Sequence, residues 1–251
     1  MKQQKTTLKI IFLAVFTFIL YGFAQLQPKS TAQTLKTEKE QLSYLALGDS
    51  YTIGESVAEN KRWPVQLAAV LNANKLVVQK PEIIAKTGWR TDQVLSAARH
   101  QLGSKTFDIV SLLIGVNNEF QGKSLTSFET EFETCLSYAI QKCDNGKKGV
   151  FVLSIPDYGY TPFGEYNQSK ISKRIQEYNQ VCKTISAKLG VTYYDITPIS
   201  QRGLKEPILV ASDGLHPSGE QYRRWIETYS EALFLQCAQV QLHEIVQLTT
   251  E

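Results

Sequence analysis

Two short, almost unbroken apolar runs constrain this chain more than any other feature: Ile-Val-Ser-Leu-Leu-Ile at 109–114 and Val-Phe-Val-Leu-Ser-Ile at 150–155. A strand with one wet face alternates apolar and polar residues, whereas a strand covered on both faces does not. These segments read as inner strands of a parallel sheet. Looser versions of the pattern extend the set to five predicted strands: Ser43–Leu47, Leu76–Ala85, Asp108–Ile114, Gly149–Ile155 and Val191–Asp195. Amphipathic helices fall between them. Ile171, Ile175, Tyr178, Cys182, Ile185 and Leu189 form a helical stripe that Gly190 ends, and Leu125, Phe128, Phe132, Leu136 and Ile140 form another. Arg62–Leu71 and Asp92–Leu102 supply two more. A last helix opens with Ser218 and Gln221 at capping-box spacing and buries Tyr222, Trp225, Ile226, Tyr229 and Leu233. Strand–helix alternation with right-handed crossovers predicts an α/β fold, a three-layer α/β/α sandwich spanning about residues 42–236. A tail, 237–251, is expected to follow it.

The 251 residues suit one such domain. The 27 basic side chains exceed the 24 acidic ones only because of Lys2, Lys5 and Lys9. The body is therefore charge-balanced and offers no basic field for nucleic acid. Those three lysines precede an apolar run, Ile10–Phe23, with Gly22 and Ala24 at small-x-small spacing. This is the pattern of an export signal over residues 1–24, with 25–41 as a polar leader. The run is shorter than the ~20 residues that span a bilayer, so a lasting anchor is the lesser reading. The expected location is periplasmic or extracellular. Four cysteines (Cys135, Cys143, Cys182 and Cys237) would permit disulfides in an exported chain. Cys135 and Cys143, read as sharing one helix, would sit ~12 Å apart and out of bridging reach. Buried thiols are expected for at least some of the four. No Cys/His spacing resembles a zinc site, and no metal or cofactor is expected.

In parallel α/β sheets, ligands bind beyond the carboxyl ends of the strands. Four polar, Gly-containing segments follow predicted strands: Gly48-Asp49-Ser50-Tyr51, Thr87-Gly88-Trp89-Arg90, Gly115-Val116-Asn117-Asn118 and Ser212-Asp213-Gly214-Leu215-His216. Their residue types fit acyl transfer. A serine hydroxyl needs a base, and an imidazole base needs a carboxylate to fix its tautomer. Ser50, His216 and Asp213 meet those needs. An oxyanion hole needs donors, which the N–H groups of Ser50 and Gly88 and the amide of Asn117 supply. His100 and His243 have no aspartate at the same local offset. The Gly-x-Ser-x-Gly elbow, the Walker loop and the dinucleotide Gly-x-Gly-x-x-Gly are all absent.

The four segments, in this order, resemble the blocks of the SGNH hydrolases, also called the GDSL esterase/lipase family, over about residues 44–236. The resemblance implies a flavodoxin-like, five-stranded parallel sheet and no cofactor. It also implies Ser50 as nucleophile and first oxyanion donor, Gly88 and Asn117 completing the hole, His216 as general base and acid, and Asp213 orienting it. Tyr51 departs from the family's leucine and is expected to line the pocket. Arg62-Trp63-Pro64 and Ile155-Pro156-Asp157 also resemble bacterial esterase members. Trp89, Tyr158, Tyr160 and Phe163 are candidates either to wall the pocket or to pack loops on the core. The expected activity is hydrolysis of acyl or acetyl esters, with lysophospholipase or thioesterase action set against carbohydrate deacetylation. A non-catalytic carbohydrate- or lipid-binding protein is the alternative from another class.

Overall fold

The computed structural model describes residues 41–250. The expected signal and most of the leader, residues 1–40, lie outside the described residues. Five strands form one sheet: β1 (Tyr44–Gly48), β2 (Glu82–Ala85), β3 (Ile109–Leu113), β4 (Val150–Leu153) and β5 (Thr192–Tyr194). All four pairings are parallel, in the order β2-β1-β3-β4-β5. Every residue of β1, β3 and β4 is buried, which is why their sequences run apolar without alternation. The predicted second strand is too long. Pro81 cannot donate to a ladder, and before it the segment makes only an isolated bridge, Val78 to Leu42, outside the five strands.

The helices are α1 (Ser50–Ile53), α2 (Trp63–Ala73), α3 (Thr91–Leu102), α4 (Val116–Phe120), α5 (Leu125–Gln141), α6 (Gln168–Leu189), α7 (Thr197–Ser200) and α8 (Gly219–Thr250). α2 packs on α8, while α5 packs on both α3 and α6. The sheet thus separates two helical layers, as one-handed crossovers require. α6 ends where predicted, at Gly190 in the left-handed region. The opening of α8 is half a capping box: Ser218 Oγ accepts from the Gln221 N–H at 3.1 Å, but the Gln221 amide donates to the Leu209 carbonyl instead. α8 also continues past residue 236, and Cys237 and Val240 are buried in the core. The expected tail is therefore a continuation of this helix. All four cysteines are buried and free. Cys143 lies beyond the end of α5, so it does not share a helix with Cys135 as expected.

This strand order reverses direction between β1 and β3. From β1 the chain crosses to β2 on one side, and β3 then sits on the other. Such a switch point leaves a crevice at the strands' carboxyl ends. Ser50 follows β1 and Asn117 follows β3, so topology alone brings them to the same crevice.

Candidate active site

Ser50 is the first residue of α1. Asp49 caps that helix, its Oδ1 accepting the Tyr51 N–H at 3.0 Å. Ser50 Oγ makes no hydrogen bond among the described residues. Asp49 is fully buried, and Oδ2, its other oxygen, has no hydrogen-bond partner. Burial pushes its carboxyl up to about 7.

His216 and Asp213 lie on a tight loop closed by hydrogen bonds from Ala211 N to His216 O and from Gly214 N to Ala211 O. Asp213 Oδ1 accepts the N–H groups of Leu215 and His216 at 2.9 and 3.0 Å. Its Oδ2 lies 2.6 Å from His216 Nδ1 and also accepts the Ser56 hydroxyl at 2.6 Å. Partial burial pushes the Asp213 carboxyl up. The donors from Ser56, the two N–H groups and the imidazole outweigh that and hold it well below the usual carboxylate range. An acceptor at Nδ1 assigns the proton to that nitrogen and leaves Nε2 as the basic atom. The Tyr51 ring stands edge-on to the imidazole, 5.8 Å between centroids.

Ser50 and His216 line one pocket of about 140 Å³, together with Gly88 and Asn117. Its other walls are Tyr51, Val116, Phe120, Tyr158, Phe163 and Leu215, with Thr87 beside Gly88. The pocket is therefore polar at the serine and apolar elsewhere. Gly88 has φ +82°, a conformation other residues adopt only under strain. Its carbonyl accepts from Gln121 Nε2 at 3.3 Å, and its N–H has no partner among the described residues. Asn117 Nδ2 donates one hydrogen to the Trp89 carbonyl at 2.9 Å. That bond fixes the amide and leaves its second N–H available.

All five residues expected at the chemistry, Ser50, Gly88, Asn117, Asp213 and His216, thus meet around one pocket or support it. Of the expected walls, Tyr51, Tyr158 and Phe163 line it. Trp89 is not among the lining residues; its side chain packs against the core and its carbonyl holds Asn117. Val116 and Leu215, inside the quoted segments, and Phe120, just past one, are wall residues to which the sequence reading gives no role. Nor does that reading give a role to Asn118, which is fully buried and pins the start of α3. Asn118 accepts the Thr91 N–H at 3.1 Å and donates to Thr91 Oγ1 at 2.7 Å and to Glu131 Oε2 at 3.1 Å. A larger groove of about 550 Å³, bordered by Gln176, Asn179, Gln180 and Tyr193, contains none of the five. Among the described residues no cluster of three His, Cys, Asp or Glu could hold a metal ion, and no helix is long and apolar enough to cross a membrane.

A family model described as the GDSL-like lipase/acylhydrolase family matches residues 46–224, a span that runs from β1 into α8 and includes all five residues. The chain belongs to this family. Membership makes the protein a carboxylic ester hydrolase. No sequence among curated proteins matches it. Solved structures share the fold at low identity. TesA aligns at 15% identity and TM-score 0.62, covering 77% of this chain and 99% of its own. An acetylxylan esterase from Geobacillus stearothermophilus aligns at 16% and 0.59, covering 74% of this chain and 93% of its own. An extracellular lipase from Streptomyces rimosus aligns at 18% and 0.58, covering 74% and 99%. The α/β/α fold is common to all three, and the two names that state an activity, acetylxylan esterase and lipase, differ.

Proposed function

We propose that this GDSL-like hydrolase acts through an acyl-enzyme on Ser50 and works outside the cytoplasm on esters of short acyl groups. One observation carries the mechanism: the Asp213–His216 pair, tied at 2.6 Å, opens onto the same pocket as the Ser50 hydroxyl. In the first half-reaction Ser50 Oγ bonds to the ester carbonyl carbon as its proton passes to His216 Nε2. The charge that develops on the carbonyl oxygen is met by the N–H groups of Ser50 and Gly88 and by the free amide hydrogen of Asn117. Collapse breaks the bond to the alkoxide, which leaves with the proton from His216. In the second half-reaction water attacks the Ser50 ester and gives a proton to Nε2. Collapse then frees the acid and returns that proton to Oγ.

Pocket size supports the choice of acyl group. At about 140 Å³ it lies well below the ~300–1,000 Å³ of sites that enclose a drug-sized ligand. A short acyl chain fits inside, and the leaving alcohol stays outside. There it meets Phe120 and Phe163, which are 59% and 54% exposed. Lys2, Lys5, Lys9 and the apolar run after them support export.

Turnover of p-nitrophenyl esters of increasing acyl length tests the reading. Acetate to butyrate should be preferred, with longer chains falling off in kcat/KM, and Ser50→Ala should abolish turnover while the protein stays folded by circular dichroism. Retained turnover in Ser50→Ala would refute the mechanism, and a preference for long chains would refute the acyl assignment.

A further inference from the structure

The turn that follows α1 is bonded to three separate parts of the site. The N–H groups of Gly54 and Glu55 both reach the Ser50 carbonyl at 3.0 Å, tying the turn to the nucleophile's own peptide. The Glu55 carboxylate accepts the hydroxyl of Thr87, the residue before Gly88. The Ser56 hydroxyl donates at 2.6 Å to Asp213 Oδ2, the same oxygen that meets His216 Nδ1. Residues 50, 87 and 213 are remote in sequence, yet three consecutive residues hold them all.

The backbone at Ser56 gives independent support. Its φ is +62°, and only one other non-glycine residue among those described, Lys75, has a positive φ. L-residues are sterically disfavoured there, and such a conformation persists only where surrounding contacts over-determine it. Glycine would relieve the strain but would bring no hydroxyl. A serine here is an advantage if its hydroxyl does something that offsets the strain. With two donors on Oδ2 and two N–H groups on Oδ1, the Asp213 carboxylate is held at both oxygens, and it holds the imidazole at Nδ1.

We propose that Ser56 is a positioning residue for the esterase reaction, holding Asp213 so that His216 keeps its aim, and that Glu55 does the same for the Gly88 loop through Thr87. This rests on the acyl-enzyme reading above. The test compares Ser56→Gly with Ser56→Ala in the full chain, since both lack the hydroxyl and only alanine keeps the strained φ. Both should lose about tenfold in kcat, the scale of one charge-assisted hydrogen bond, with KM unchanged. Ser56→Gly should melt no lower than Ser56→Ala. The downfield proton resonance of His216 Nδ1–H should shift in both variants. Glu55→Ala should also lower kcat while leaving that resonance in place. Full kcat in Ser56→Gly would overturn the Ser56 role, as would a Gly variant that recovers what Ala loses, because backbone conformation would then be the cause. Unchanged kcat in Glu55→Ala would remove Glu55. Ser50→Ala assayed alongside separates the two levels. If it is inactive while the Ser56 variants are not, only the positioning claim fails; if it is active, the acyl-enzyme reading itself fails.

Discussion

Two aspartates flank the chemistry, and their surroundings drive them in opposite directions. Asp49, one residue before Ser50, is fully buried with a single N–H from Tyr51 on one oxygen and nothing on the other. Asp213, three residues before His216, is partly exposed and takes four donors. Burial raises the Asp49 carboxyl to about 7, while the donors hold Asp213 well below the usual range. The number of donors, set against burial, decides which carboxylate stays charged at neutral pH. A carboxylate that must orient an imidazole has to remain anionic. One that caps a buried turn needs only an acceptor oxygen.

The sharpest way to break this contrast is Asp213→Asn. The amide fills the same space but favours the wrong imidazole tautomer, so kcat should fall by about 10³–10⁴ in steady-state assays with the protein still folded. A loss of less than tenfold would mean that Asp213 does not orient His216.

A smaller effect, on stability, is expected from Asp49→Asn. Because the folded state holds the Asp49 proton up to about 7 and the unfolded state releases it near 3.8, native stability falls as pH rises between those values. The slope is about 1.4 kcal/mol per pH unit for one group. Asparagine mimics the protonated acid and keeps the Tyr51 N–H acceptor. Urea melts should therefore give variant and parent similar stability near pH 4, with the variant gaining steadily toward pH 7. Parallel profiles would show that Asp49 is ionised in the fold.

Smallest of the three is the stability change in Asp213→Asn, and its pH dependence has the opposite sign. A lowered carboxyl contributes stability that is present above the unfolded value and lost as pH falls below it. The same urea melts should find the parent slightly ahead of Asp213→Asn at pH 7 and the gap closing below pH 4. A gap that widens in acid would reverse the assignment.

What the sequence made legible follows from where the information is local. The runs at 109–114 and 150–155 declare inner strands because both faces of β3 and β4 are covered, and the stripe ending at Gly190 declares α6 because one face of that helix is buried. The second strand is shorter than its apolar composition suggests because Pro81 interrupts the ladder. The expected boundary at residue 236 has no helix breaker behind it: neither Gly nor Pro follows, and α8 runs on. At the site, each of the five chemical residues sits inside a short motif at a strand end, and the order of those motifs made them readable. Leu215, although inside a motif, has an apolar side chain that suggests no chemistry, and Phe120, two residues past its motif, lacks that signal. Ser56 and Glu55 had none. Ser56 meets a residue 157 positions away, a contact that only the folded chain creates.

The central claim is that the hydroxyl at position 50 becomes covalently esterified during turnover. Intact-protein and peptide mass spectrometry after treatment with a fluorophosphonate tests it most directly. The account predicts one adduct per chain, on Ser50, formed in step with the loss of esterase activity and slowed strongly in His216→Ala. An adduct confined to another residue, or full inactivation with Ser50 unmodified, would contradict it.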